Sequence, residues 1–218
     1  MAPGAVAILG GTGQQGSGLA RRLAAAGLQV TVGSRDPRRA RDTIAGWRAP
    51  APIEAADNAT AAATADTVVL AVPFGTVDAL LDEVAPHLKQ DAVVVDLIVP
   101  MTFAGGTMTM LDIVEGSAAE HIRTKLPPAA SLACAFKTVP AYLLDRVDLP
   151  LDCDEFVCGD SEAARIRAAD LVGHVAGLRA VDVGPLSRAR SIEQLTALAV
   201  AINRRHHVHD ARFRVIGL

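Results

Sequence analysis

The chain has 218 residues, of which 50% are apolar, 3% aromatic and 21% charged, with a formal net charge of −3. A chain of this length and composition can bury a substantial core, and its nearly balanced charge excludes whole-surface attraction to nucleic acid or an anionic membrane. Cys134, Cys153 and Cys158 form no CxxC pair, and apolar runs such as TVVLAV at 67–72 are too short to span a bilayer with no charged leader ahead of them; the expectation is a cytoplasmic protein with reduced thiols rather than a disulfide scaffold, a zinc site or a membrane protein.

In chain order, AVAIL at 5–9 predicts a strand that runs into GGTGQQG, with glycines at Gly11, Gly13 and Gly16. A G-x-G-x-x-G run between a strand and a helix predicts a dinucleotide site. Gly11 is expected to permit the tight turn, Gly13 to let the backbone approach a pyrophosphate, and Gly16 to let helix and strand pack closely. The helix N-terminus then offers its free N–H groups to phosphate oxygens. That helix is read from about Ser17 to Ala26 and closed by Gly27.

QVTVG at 29–33 predicts the second strand, where a carboxylate commonly accepts hydrogen bonds from the ribose of NAD. Here the strand ends Gly33, Ser34, Arg35. Asp36 precedes Pro37 and reads as an N-cap with proline in the first helical turn. Ser34, Arg35 and Arg39 instead supply a hydroxyl and two guanidinium groups suited to a 2′-phosphate, so the expected nucleotide is NADP(H).

TVVLAV at 67–72 and AVVVDL at 92–97 predict two further strands, with a helix after Thr76 running through VDALLDEV to Pro86. Their carboxyl ends face the same crevice, which makes Pro73, Phe74 and Val77, and Val99, Pro100 and Met101, candidate neighbours of the nicotinamide end. The stretch from Met101 to Ser117, with two adjacent glycines and three methionines, reads either as an adaptable loop beside a pocket or as a simple connection. LACAF at 132–136 and EFVCG at 155–159 predict strands, SEAARIRAADLVGHVAG at 161–177 a capped helix, and RAVDVG at 179–184 another strand. A long apolar-striped helix from about Ser187 to Arg205 follows.

The strands lack strict polar alternation, so the predicted fold is α/β: a Rossmann-like doubly wound parallel sheet with a smaller appended C-terminal α/β part. The expected organisation is a nucleotide-binding domain over 1–145 and a subdomain over 146–218. The apolar stripe of the last helix serves either a homodimer or the chain's own core. His206, His207 and His209 with Asp210 read as a polar helix end, because adjacent histidines on a helix point apart. Arg188 and Arg190 fit either a phosphate clamp or a solvated first turn.

Together, ILGGTGQQGSGLARRLAAAG, VGSRD, VVLAVPF, FKTVPA, VCGD and LRAVDVGPLSRARSIEQLTALAVAIN resemble the NADPH:coenzyme F420 oxidoreductases along nearly the whole chain. The resemblance implies reversible hydride transfer between NADPH and the deazaflavin coenzyme F420. It implies phosphate contacts from Thr12, Gly13, Gln14 and Gln15, and 2′-phosphate contacts from Ser34, Arg35 and Arg39. Lys137, Thr138, Pro140 and Ala141 are then expected beside the slot where the two rings meet, with Gln194, Thr196 and Phe213 brought in from the last helix and tail. Lys137 and Thr196 are the candidates for a chemical role.

The chain departs from the family at two positions, since some members carry histidine where Lys137 stands and a smaller hydroxyl residue where Gln194 stands. The Lys137 ammonium either stabilises negative charge near the deazaflavin pyrimidine or is a solvated strand-end charge. The Thr196 hydroxyl either contacts a ring or bonds its own backbone. Two other classes stay open: an NADP-dependent reductase of a small imino or hydroxy acid, against which the chain's length counts, and a non-catalytic NADPH sensor.

Overall fold

The computed structural model describes residues 4–47, 49–105 and 107–218. Its first half alternates strictly. Strand β1 (Val6–Leu9) leads into α1 (Gln14–Ala25), then β2 (Val30–Gly33), α2 (Pro37–Ala45), β3 (Glu54–Ala56), α3 (Asn58–Thr64), β4 (Thr67–Leu70), α4 (Val77–Val84) and β5 (Val93–Asp96). There follow β6 (Met101–Ala104), β7 (Thr107–Met110), α5 (Ala118–Lys125), β8 (Ser131–Cys134), α6 (Ala141–Asp145), β9 (Cys153–Gly159), α7 (Glu162–Gly173), β10 (Leu178–Pro185) and α8 (Ala189–His206).

Eight strands form one sheet in the order β10-β9-β8-β5-β4-β1-β2-β3. All neighbours are parallel except β8 and β9, which pair antiparallel through Ala133–Gly159 and Cys134–Cys158. The reversal of strand order on either side of β1 and β4 is the switch point of a doubly wound sheet, where ligands bind outside the carboxyl ends of the strands. The last two strands, β9 and β10, therefore extend the same sheet as the first half, joined to it through one antiparallel pairing.

The apolar runs are explained by burial on both faces. Ala7 and Leu9 of β1 belong to the core layer beneath α3, α4 and α5, whereas Val6 and Ile8 belong to the opposite layer beneath α1 and α7. Helix α1 turns Leu19 and Leu23 fully inward, each worth roughly 1.5 to 3 kcal/mol of burial. It ends where Gly27 takes φ +87°, a conformation that suits glycine. Helix α2 starts as its sequence indicated, with Asp36 accepting from the Arg39 N–H at 3.0 Å and proline at its first position.

Two sequence expectations change. The stretch from Met101 to Ser117 contains an antiparallel hairpin, β6 with β7, that pairs Met101 with Met110. The methionines and threonines alternate along β7, so this period-2 signal was present behind the glycines. The second change concerns the Gly-rich turn: the positive φ, +81°, falls on Gly10. A Cβ at Gly11 would instead meet the Val32 side chain at 2.8 Å, so Gly11 is needed for close packing against β2.

Candidate active site

A cavity of about 620 Å³ opens at the carboxyl ends of β1, β4, β5 and β8. One end is the turn into α1, represented by Gly13, Gln14 and Gln15. Gly13 is the N-cap of α1 and makes no side-chain cap, so the first-turn N–H groups lack an intrahelical partner. A Cβ placed on Gly13 would meet only the Gly10 carbonyl oxygen, at 3.3 Å, which leaves the surface above the helix end open. Gln15 adds a buried Oε1 with no hydrogen-bond partner among the described residues, while its amide nitrogen donates to the Val139 carbonyl at 3.4 Å. Free N–H groups, an open glycine and an orphaned acceptor fit the pyrophosphate and amide ends of a nicotinamide dinucleotide.

The long walls are apolar. Ala71, Val72 and Pro73 come from the end of β4, Leu97, Ile98 and Val99 from the end of β5, and Met101 and Phe103 from the hairpin. The opposite wall combines Lys137 to Ala141 with the α8 face formed by Thr196, Ala199, Val200 and Asn203. Those four positions recur at three- and four-residue spacing and so share one side of the helix.

The same spacing explains why Gln194 is absent from this wall. It lies two residues from Thr196, about 200° round the helix, and instead lines a separate depression with Pro100 and Arg190. Other expected neighbours also lie elsewhere. Val77 is 1% exposed and packs in the core at the start of α4. Phe74 turns to meet His121 edge-on at 5.4 Å. Phe213 packs against the core from the C-terminal tail, its carbonyl accepting from the Asp154 N–H at 2.9 Å. These side chains are apolar and the core competed for them, which strand-end counting does not register.

Gly11 is buried within the turn, and Thr12 lines a neighbouring depression with Gln14, Ser17 and Tyr142. Ser34, Arg35 and Arg39 stand at the carboxyl end of β2, beside the turn. The Ser34 hydroxyl bridges the Asp36 backbone, and neither the Arg35 nor the Arg39 guanidinium has an ion-pair partner among the described residues.

Lys137 is fully buried, which overturns the solvated reading. Phe136, with φ 59°, swings the chain off β8, and Lys137 turns into the protein beneath the cavity. Its ammonium donates to Asp96 Oδ2 at 2.7 Å, to Glu193 Oε1 at 3.2 Å and to the Ile98 carbonyl. Burial alone would lower its pKa, but the carboxylates of Asp96 and Glu193 outweigh it and hold the ammonium well above the ordinary lysine value. With three donors committed to protein acceptors, Lys137 ties the ends of β5 and β8 to α8. Thr196 fastens the same corner: its hydroxyl reaches the Lys137 carbonyl at 2.9 Å and the Ile192 carbonyl at 3.3 Å.

Beside this cluster lies Glu155 of β9, also fully buried. It accepts from the Lys137 backbone N–H at 2.9 Å and from the Thr138 hydroxyl at 2.7 Å, and burial pushes its carboxyl up to about 7. Asp96, Glu155 and Glu193 went unremarked in the sequence, where only the aspartate closing the apolar run VVVD offered a signal. A further support sits at the cavity rim. Arg22 of α1 is 4% exposed and donates to the carbonyls of Leu143, Leu144, Arg146 and Leu149, at 2.7 to 3.0 Å, so α6 is held against α1.

The fold and this site define a dinucleotide-binding protein of the Rossmann type. Residues 5–100 match the family model described as NADP oxidoreductase, coenzyme F420-dependent. The F420-dependent NADP reductase of Methanothermobacter thermautotrophicus is 38% identical over 98% of this chain and 95% of its own, and that of Methanocaldococcus jannaschii is 32% identical over 98% of each. A crystal structure from Arthrobacter sp., assigned to the same reductase class, superposes with a TM-score of 0.83 at 27% identity, covering 96% of this chain and 98% of that one. The chain belongs to the family of F420-dependent NADP reductases.

Proposed function

We propose that this protein is an oxidoreductase that moves a hydride reversibly between NADPH and coenzyme F420 in the cavity above Lys137. The observation that carries the reading is full-length similarity to F420-dependent NADP reductases, which extends through β9, β10 and α8. Those elements contribute the α8 wall of the cavity, beyond what a shared nucleotide-binding half would need. Bound together, the two partners supply the redox chemistry themselves, and the protein contributes alignment, exclusion of water and electrostatics.

In this reading Gly13, Gln14 and Gln15, with Thr12 beside them, hold the pyrophosphate side. Ser34, Arg35 and Arg39 hold the 2′-phosphate, and their free guanidinium groups with no strand-end carboxylate support NADP(H) over NAD. Pro73, Met101, Ala141 and Thr196 shape the slot, and Lys137 keeps its walls in register rather than touching a ring. Free buried thiols at Cys134, Cys153 and Cys158 support a reducing, cytoplasmic setting. Among the described residues no helix is long and apolar enough to cross a membrane.

The test is a spectrophotometric turnover assay of the purified protein. NADPH should bleach oxidised F420, whereas NADH with F420 and NADPH with a free flavin should show little change. Tight NADPH binding with F420 left oxidised would overturn the hydride-transfer reading and turn attention to small imino or hydroxy acids.

A further inference from the structure

Hydride transfer adds a negative charge to the accepting ring that a proton must neutralise, and the balance of the reaction requires one proton per hydride. Lys137 is poorly placed to give it, because its three donors are engaged and its ammonium is stabilised against deprotonation. The Glu155 carboxyl has no such restriction. It is fully buried, it is bonded to the Thr138 hydroxyl at 2.7 Å, and Thr138 lines the cavity.

We propose that Glu155 and Thr138 form a buried proton relay for the acceptor, resting on the hydride-transfer reading above. Thr138 touches the cavity, and Glu155, which acts only through it, is a positioning residue that orients the hydroxyl and replaces its proton. With Glu155 ionised the Thr138 hydroxyl donates to it; with Glu155 protonated the 2.7 Å contact reverses, the carboxyl O–H donates to Thr138 Oγ1, and the hydroxyl proton turns to the cavity. As the C–H bond of the donor breaks with its electron pair and a C–H bond forms on the acceptor, the Thr138 O–H bond breaks toward the acceptor's charge. Thr138 oxygen then takes the proton of the Glu155 carboxyl, which is left as a carboxylate until, after product release, a solvent proton entering the cavity returns to it through the Thr138 hydroxyl. The reverse reaction uses the same atoms, with Glu155 starting ionised.

Charge balance in the corner supports a protonated starting state. Asp96, Glu155 and Glu193 are three carboxyl groups around the single ammonium of Lys137, all buried, so full ionisation would leave excess negative charge in a low-dielectric region. Asp96 and Glu193 contact the ammonium, whereas Glu155 meets the backbone N–H groups of Lys137 and Thr138 and the Thr138 hydroxyl, and burial outweighs those bonds. Around Glu155 the other ionisable groups are Lys137 on the chain leaving β8 and Cys153 on its own strand. Arg179 of β10 is committed to Asp154 on the opposite face of β9, Arg214 of the tail to Asp152, and Glu193 of α8 to Lys137. Burial holds the carboxyl near 7, so both protonation states are accessible around neutrality.

The deciding experiment measures single-turnover reduction of F420 by NADPH from pH 5.5 to 8.5, alongside infrared titration of the protonated-carboxyl band in protein saturated with NADP⁺. Wild type should lose rate above about pH 7, approaching tenfold per pH unit, and should show a carboxyl band that disappears over the same range. Glu155→Gln should lack the band, run at least tenfold slower at pH 6 and lose the break in the profile. Thr138→Val should slow the reaction similarly while keeping the band, and Thr138→Ser should restore the wild-type profile. A wild-type profile retained by Glu155→Gln, or no band lost in that variant, overturns the relay. Failure of wild type itself to bleach F420 overturns the hydride-transfer reading instead, and the relay with it.

Discussion

Replacing Lys137 by methionine separates a structural ammonium from a solvated or ring-contacting one. The side chain is fully buried, as is its partner Asp96, and Glu193 is 2% exposed. Methionine keeps most of the volume but leaves two carboxylates without their counter-charge and the Ile98 carbonyl without a donor. Breaking a buried pair from one side costs about 3 to 5 kcal/mol, a large share of the ~5 to 15 kcal/mol that holds a typical domain together. With a urea slope of about 3 kcal/mol per molar, the unfolding midpoint should fall by about 1 to 2 M.

The loss should also depend on pH. The Glu193 carboxyl already lies above its ordinary value because burial outweighs the attraction of Lys137, and removing the lysine raises it further. A carboxyl raised in the folded state favours folding below its unfolded pKa, and that advantage is lost as pH rises through the folded value. The variant should therefore be closer to wild type at pH 5 than at pH 8, and adding Glu193→Gln should recover part of the loss at pH 8. Urea unfolding followed by far-UV circular dichroism measures all three. A midpoint within about 0.3 M of wild type at both pH values would refute the ionic-hub reading.

Two further substitutions test the ends of the site. Arg35→Ala should weaken NADPH roughly ten- to a hundredfold by calorimetry while leaving NADH and the unfolding midpoint unchanged, because no described residue loses an ion-pair partner; equal losses for both nucleotides would remove Arg35 from the 2′-phosphate site. Arg22→Leu strips four carbonyls of a buried donor and should cost about 3 kcal/mol. Calorimetry should show the thermal midpoint down by about 6 to 12 °C, with weaker NADPH binding as α6 loosens; an unchanged midpoint would show that α6 is held by packing alone.

Much of the frame was legible because it depends on local rules. Continuous apolar runs such as TVVLAV belong to strands covered on both faces, and a strand followed by spaced glycines and a helix makes an anion site through backbone groups alone. Asp36 before Pro37 specified its own N-cap. Such signals need only neighbours a few residues away. The hairpin at Met101 was hidden because its glycines outweighed a short alternation.

What the sequence by itself determined is therefore the class of fold, the glycine-rich turn between β1 and α1 and, through similarity carried along the whole chain, the chemistry. The tertiary structure alone decided which side chains meet. Helical phase turned Gln194 away from the cavity and Thr196 toward it, core packing claimed Val77 and Phe74, and burial converted Lys137 from a strand-end charge into the centre of an ionic cluster. Asp96, Lys137, Glu155 and Glu193 come from four separate parts of the chain, and their charges become informative only when folding removes the water between them. The free energy of a buried charge depends on every group that replaces that water, and no local pattern in the sequence encodes the set.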